Sequence, residues 1–121
     1  MTNRCVLVVD DDEAIRDSLC EILEDEGHPA VGVPDGREAL DFLRGDRRPC
    51  LILLDLMMPV MDGATFRAEQ LGDPRLSSIP VAVITAAGVQ AASGMRAEAV
   101  LPKPLRIENV LTVVERYCPA Q

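Results

Sequence analysis

The stretch Cys5-Val6-Leu7-Val8-Val9-Asp10-Asp11-Asp12-Glu13 sets five apolar residues directly against four acidic ones. A continuous apolar run reads as a strand buried on both faces, because a half-buried strand would alternate apolar and polar residues. Asp11 or Asp12 can then cap a helix. Within that helix Ile15, Leu19, Ile22 and Leu23 fall at i, i+4, i+7 and i+8, one apolar stripe, and Gly27 stops it. The unit is strand, acidic corner, helix.

The same grammar recurs outward along the chain. Ala30 to Val33 is a short strand. Asp35 followed by Glu38 resembles a capping box and opens a helix with Ala39, Leu40 and Leu43 inward and Gly45 at its end. Leu51 to Leu54 is a second wholly apolar run, and Asp55 follows it. Asp62-Gly63 is a turn signal before a weaker helix carrying Phe66 and Leu71. Val81 to Ile84 is a third strong strand, and Ala99-Val100-Leu101 is a short fifth. After Pro104 a last helix places Ile107, Val110, Leu111 and Val114 at i, i+3, i+4 and i+7. Five strand-then-helix units predict an α/β fold, a doubly wound five-stranded parallel sheet with helices on both faces. The length of 121 residues suits a single domain over 1–121, with no effector domain in this chain.

Composition narrows the function. The hydrophobic fraction of 48% supports a real core, and that core is aliphatic, since Phe42, Phe66 and Tyr117 are the only aromatics. A net charge of −8 argues against binding nucleic acid through its phosphates and against an anionic membrane surface. The first apolar run is too short for a signal peptide, and no run approaches a membrane span. Cys5, Cys20, Cys50 and Cys118 are scattered, without a CxxC pair or Cys/His cluster, so neither zinc nor a disulfide is expected. The expected compartment is a reducing cytoplasm. His28, the one histidine, precedes Pro29 and is expected in a surface turn.

Ligands of parallel sheets bind beyond the carboxyl ends of the strands. There the sequence puts Asp10 and Asp11 after the first strand, Asp55 after the third, Thr85 after the fourth and Lys103 after the fifth. Singly, each has an ordinary role as a helix cap, a strand-end hydroxyl or a solvated lysine. Jointly, three carboxylates repel: unit charges about 4 Å apart cost about 4 kcal/mol at an effective dielectric near 20. A hard divalent cation compensates, and Mg²⁺ takes a few carboxylates plus carbonyl and water oxygens. Lys103 would offset the remaining charge. Phosphoryl transfer needs this set, because its catalysis is mostly positioning and charge stabilisation.

The blocks Val-Val-Asp10-Asp11-Asp12-Glu13, Leu-Leu-Asp55-Leu-Met-Met-Pro59-Val-Met-Asp62-Gly63, Val-Ile-Thr85-Ala86 and Leu-Pro-Lys103-Pro104 resemble the signatures of bacterial response-regulator receiver domains. The resemblance runs from about residue 4 to residue 117. It implies the flavodoxin-like (βα)5 fold with strand order 2-1-3-4-5. It implies that Asp55 is phosphorylated, that Asp10, Asp11, Asp55 and the backbone carbonyl of Met57 hold Mg²⁺, and that Lys103 and Thr85 contact the phosphoryl oxygens. It further implies that Ala86 leaves the site open, that Pro59 and Gly63 shape the loop after Asp55, and that the Lys103-Pro104 bond is cis. The implied donor is a phosphohistidine on a histidine kinase or phosphotransfer domain. The implied output is a downstream protein target, met as a monomer or a phosphorylation-dependent dimer. The domain would catalyse only its own phosphorylation and dephosphorylation.

Two positions depart from the pattern. Val100 stands where these families place an aromatic switch residue, three positions before the lysine. Lys103 follows Thr85 by 18 positions, about one helical turn fewer than usual. The intervening Gly88-Val-Gln-Ala-Ala-Ser-Gly94 has two glycines and little apolar periodicity, so the fourth helix is expected to be short or distorted. Two other readings use the same residues. One is a phosphorylation-independent binding module with a receiver fold. The other is a haloacid-dehalogenase-type phosphatase built on Asp10 and Asp12, which leaves Asp55 unexplained.

Overall fold

The structure is a computed structural model that describes residues 5–58 and 60–119. Pro59 therefore lies outside the described residues. Five strands, β1 (Val6–Val9), β2 (Ala30–Val33), β3 (Leu51–Asp55), β4 (Val81–Thr85) and β5 (Ala99–Pro102), form one parallel sheet in the order β2-β1-β3-β4-β5. Four helices connect or follow them: α1 (Glu13–Asp25), α2 (Gly36–Leu43), α3 (Gly63–Leu71) and α4 (Ile107–Tyr117). Between β4 and β5 the helix is replaced by a single 3-10 turn, Val89–Ala92, as the glycine-flanked segment predicted.

The unbroken apolar runs follow from two-sided burial. Along β1 and β3, alternate residues enter opposite cores. Leu7, Val9, Ile52 and Leu54 join Leu40, Leu43 and Phe66 of α2 and α3 on one face. Val6, Val8, Leu51 and Leu53 meet Leu19 and Leu23 of α1 and Val110 and Val114 of α4 on the other. A strand with helices on both sides has no wet face, so every position is apolar. β2, at the sheet edge, is only partly covered. Ile15 and Ile107, the first apolar positions of their helical stripes, are 36% and 37% exposed, each in the first turn of its helix.

Helix starts are set by aspartates. Asp12, the second of the two candidates, accepts from the N–H groups of Ala14 and Ile15; Asp35 accepts from Glu38, and Asp62 from Thr65. Each satisfies donors that a helix N-terminus leaves unpaired. Gly27, at φ +88°, takes the left-handed conformation that ends α1. The Lys103-Pro104 bond is cis. Among the described residues, no helix is long and apolar enough to cross a membrane.

Two expectations fail, both through α4. Cys50 and Cys118, separated by 68 residues, are joined in a disulfide with Cα atoms 5.5 Å apart. α4 runs back along the sheet, so its C-terminus returns to the edge where β3 begins; sequence spacing holds no trace of that meeting. Cys5 and Cys20 remain free. His28 is not in a surface turn. It is 3% exposed, and its Nε2 lies 3.2 Å from Oε2 of Glu115 on α4.

Gly63 lies where the loop after Asp55 turns back on β3. A Cβ there would sit 2.9 Å from Leu56 Cα and 3.0 Å from the Asp55 carbonyl oxygen, backbone atoms with no flexible end to yield. Gly63→Ala is expected to cost about 2 kcal/mol and lower the melting temperature by about 8 °C. Gly72→Ala is the control, because its nearest neighbour is a carbonyl at 3.4 Å. An equal shift for the two variants in differential scanning calorimetry would contradict the steric account.

Candidate functional site

Strand ends deliver the site. Asp10 is the first residue past β1, anchored by its N–H to the Val33 carbonyl at 3.1 Å. Asp55 ends β3 and Thr85 ends β4. Lys103 follows β5, and its N–H donates to the Thr85 carbonyl at 2.9 Å, fixing where its side chain starts. Carboxylate oxygens of Asp10, Asp11 and Asp55 all lie within 4.8 Å of one another. Lys103 Nζ stands 3.3 Å from Asp55 Oδ1, which also receives a long contact from the Met57 N–H at 3.4 Å. The five side chains singled out in the sequence, Asp10, Asp11, Asp55, Thr85 and Lys103, therefore stand at one edge of the sheet.

The acidic centre is only partly answered by protein donors. Asp10 Oδ1 accepts from the Asp12 N–H at 2.9 Å. Asp10 Oδ2 is buried with no hydrogen-bond partner. Burial pushes the Asp10 carboxyl above the usual carboxylate range; the Asp12 N–H and Lys103 oppose that, while Asp11 and Asp12 add to it. Burial also pushes Asp55 up, the Asp10 charge adds to it, and Lys103 pulls it back. A buried anionic oxygen without a donor is costly unless something else neutralises it. Three carboxylates and no nitrogen or sulfur ligand make an all-oxygen donor set, which suits a hard divalent cation. Asp10, Asp11 and Asp55 fit Mg²⁺ on those grounds.

Thr85 is buried, and its Oγ1 accepts from the Ala87 N–H at 2.9 Å, so the hydroxyl hydrogen is left to point elsewhere. Ala86 beside it is exposed, which keeps the approach open. Met57 is 71% exposed, whereas Met58 and Met61 pack against the core, as packing residues should.

Sequence reasoning missed two arginines, one at the acidic corner and one beneath the chain that leads into β5. Arg16 of α1 donates from Nη1 to the Asp10 carbonyl at 2.8 Å, bracing the acidic corner. Arg67 of α3 is 3% exposed. It donates to the Met95 carbonyl at 2.9 Å, the Arg96 carbonyl at 2.8 Å and Gln70 Oε1 at 2.7 Å, and lies 3.7 Å from Glu98. Glu98 in turn accepts from the Val81 N–H at 2.7 Å. This clasp holds the chain between the 3-10 turn and β5, where a longer helix would otherwise pack. A signal existed: Gly63, Phe66, Arg67 and Gln70 fall at i, i+3, i+4 and i+7, so two polar residues occupy a core-facing stripe. Val100 is half-buried against the core, in register with Val83 of β4.

The family model for the response regulator receiver domain matches residues 6–115. A response regulator, MprA of Mycolicibacterium vanbaalenii, is 39% identical over 116 residues, covering 88% of this chain and 46% of its own length. The chain thus spans about half the length of the curated relatives it matches. The signal receiver domain of a signal transduction histidine kinase from Syntrophus aciditrophicus superposes with a TM-score of 0.86 at 33% identity, over 93% of this chain and 87% of that one. The chemotaxis protein CheY4 of Vibrio cholerae gives 0.85 at 29%, over 97% and 99%. With the parallel sheet and acidic edge in place, the chain belongs to the response regulator receiver domain family, whose setting is two-component signalling.

The raised carboxyls of Asp10 and Asp55 set a direction for pH dependence. The folded state holds their protons above the unfolded value near about 3.9, so stability falls as pH rises through the folded values. Asp62 and Asp73 shift downward and act only at lower pH. In chelator, Asp10→Asn is therefore expected to raise the melting temperature at pH 7.5 by roughly 4–8 °C, for about 1–2 kcal/mol. The gain should shrink towards pH 4.5. A constant gain across that range, read by thermal melts, would refute the electrostatic cause.

Proposed function

We propose that Asp55 accepts a phosphoryl group from a phosphohistidine donor, and that the resulting aspartyl phosphate controls docking to a downstream protein. The observation that carries this reading is the placement of Asp55 Oδ1 against Lys103 while Asp10 and Asp11 crowd the same edge. Asp55 Oδ2 has no protein hydrogen bond among the described residues and is the oxygen free to attack. It attacks phosphorus as the phosphorus–nitrogen bond of the phosphohistidine breaks, and the imidazole leaves with the bond's electrons. Lys103 then faces the phosphoryl oxygens from the side it now shares with Asp55, and the Thr85 hydroxyl, at the end of the neighbouring strand, donates to another. Mg²⁺, held by Asp10, Asp11, Asp55 and the Met57 carbonyl, would supply positive charge to the equatorial oxygens. The same groups serve hydrolysis, so the domain turns over only its own phosphate.

The donor is a histidine kinase or phosphotransfer domain, and the setting is the cytoplasm. As a switch, the domain must favour one state on phosphorylation; moving a population from 1:99 to 99:1 takes about 5.5 kcal/mol. The acidity, with a net charge of −8, supports a protein target rather than a nucleic acid. A second reading, a phosphorylation-independent binding module, draws support from Val100 and the Arg67 clasp, which leave less to rearrange. The phosphatase reading loses ground, because Asp12, its required acid, is committed to capping α1.

Wild type treated with acetyl phosphate and Mg²⁺ is expected to gain the mass of one phosphoryl group, and Asp55→Ala to gain none. Lys103→Ala should slow the gain about 100-fold, the usual order for one lost charge-stabilising donor. Chelator should stop it. Unchanged wild-type mass, or equal labelling of Asp55→Ala, in intact-protein mass spectrometry would sink the proposal.

A further inference from the structure

Cys50 and Cys118 stand at the opposite edge of the sheet from the acidic site, about 17 Å away along the five residues of β3. We propose that this pair is a reversible thiol–disulfide site, exchanged by small zwitterionic disulfides of the glutathione class, and a second covalent input to the domain. Both oxidation states have a place. Oxidised, the two sulfurs are bonded. In the bonded form Cys50 Sγ already lies 3.3 Å from the Cys5 carbonyl oxygen, the acceptor its S–H would meet on reduction.

The approach to the pair is one-sided. Cys118 is buried, but Cys50 is half-buried and lines a cleft of about 460 Å³ with Arg48, Ser78, Pro80 and Tyr117. Arg48 is fixed on the rim by hydrogen bonds to the Arg75 carbonyl at 2.9 Å and Ser78 Oγ at 2.7 Å. Asp46 lines the same cleft. A fixed guanidinium and a carboxylate match the carboxylates and ammonium of a glutathione unit, and the volume lies in the range of small-ligand clefts. The other two cysteines differ: Cys5 is buried, and the half-buried Cys20 thiol is pushed up by burial and by the Glu24 and Asp17 charges.

The exchange balances in two steps. The Cys50 thiolate attacks one sulfur of glutathione disulfide; that sulfur–sulfur bond breaks and one glutathione thiolate leaves. The Cys118 thiolate then attacks Cys50 Sγ, closing the protein bond and releasing the second glutathione. The protein loses two electrons and two protons, and one disulfide becomes two thiols. The closed loop from Cys50 to Cys118 contains Asp55, Thr85 and Lys103 and leaves out Asp10 and Asp11. Oxidation therefore braces one half of the acidic site's scaffold and not the other.

The test equilibrates the full chain in glutathione buffers from fully reduced to fully oxidised, followed by acid quench, denaturation, alkylation with iodoacetamide and intact mass. Four alkyl groups at the reduced end and two at the oxidised end are expected, with peptide mapping linking Cys50 to Cys118. Cys118→Ser should stop at one glutathione on Cys50. The oxidised wild type should melt several degrees above the reduced form, and Cys118→Ser should show no such gap. Four labels in every buffer, two labels even in excess dithiothreitol, linkage through Cys5 or Cys20, or glutathione on another cysteine of Cys118→Ser would each overturn the proposal.

Discussion

Repulsion among Asp10, Asp11 and Asp55 is the constraint around which this molecule is organised. β1 and β3 are neighbours in the sheet and are buried on both faces, so neither can shift to separate the carboxylates at their ends without giving up core contacts. The charge has to be met where it stands. Lys103 meets part of it from β5, two strands away. Arg16 braces the Asp10 carbonyl, and the Asp12 N–H takes one Asp10 oxygen. The other Asp10 oxygen is left buried with no hydrogen-bond partner among the described residues.

The flank beside Thr85 and Lys103 is built differently from the rest. Elsewhere each strand is covered by an amphipathic helix. Between β4 and β5 stands a single 3-10 turn, and the chain after it is tied at Met95 and Arg96 by buried Arg67, with Gln70 and Glu98 completing the network. A buried cation leaves α3 only if all its acceptors are replaced, so directed bonds hold this flank in addition to the packing of Ala92 and Met95 in the core. Val100 adds to that stiffness, since a half-buried aliphatic side chain in register with Val83 has no polar end to draw it outward.

The two edges of the sheet divide the labour. The edge where the strands end gathers charge, because strand ends free their side chains from the layered core. The edge where they begin gathers the chain's returns: α4 brings Cys118 to Cys50, and its Glu115 comes to His28 at the end of α1.

The sequence alone was enough for the alternation of strands and helices, the acidic corner and the lysine after β5. Those features are local: an apolar run, an aspartate cap or a glycine stop acts within a few residues, and two-sided burial writes itself directly into composition. The loss of a full helix between β4 and β5 was also visible, in Gly88 and Gly94. Tertiary structure decided the rest. Arg67 was hidden because a polar residue on a weak stripe reads as solvent-facing until the Met95 and Arg96 carbonyls are brought to it. His28 and the Cys50–Cys118 pair were misread for the same reason, since each meets its partner only when α4 folds back across 68 to 87 residues of chain. The aspartates were legible in kind and position, but their buried and partnerless state was not. That depends on the distance between strand ends, which only the completed sheet sets.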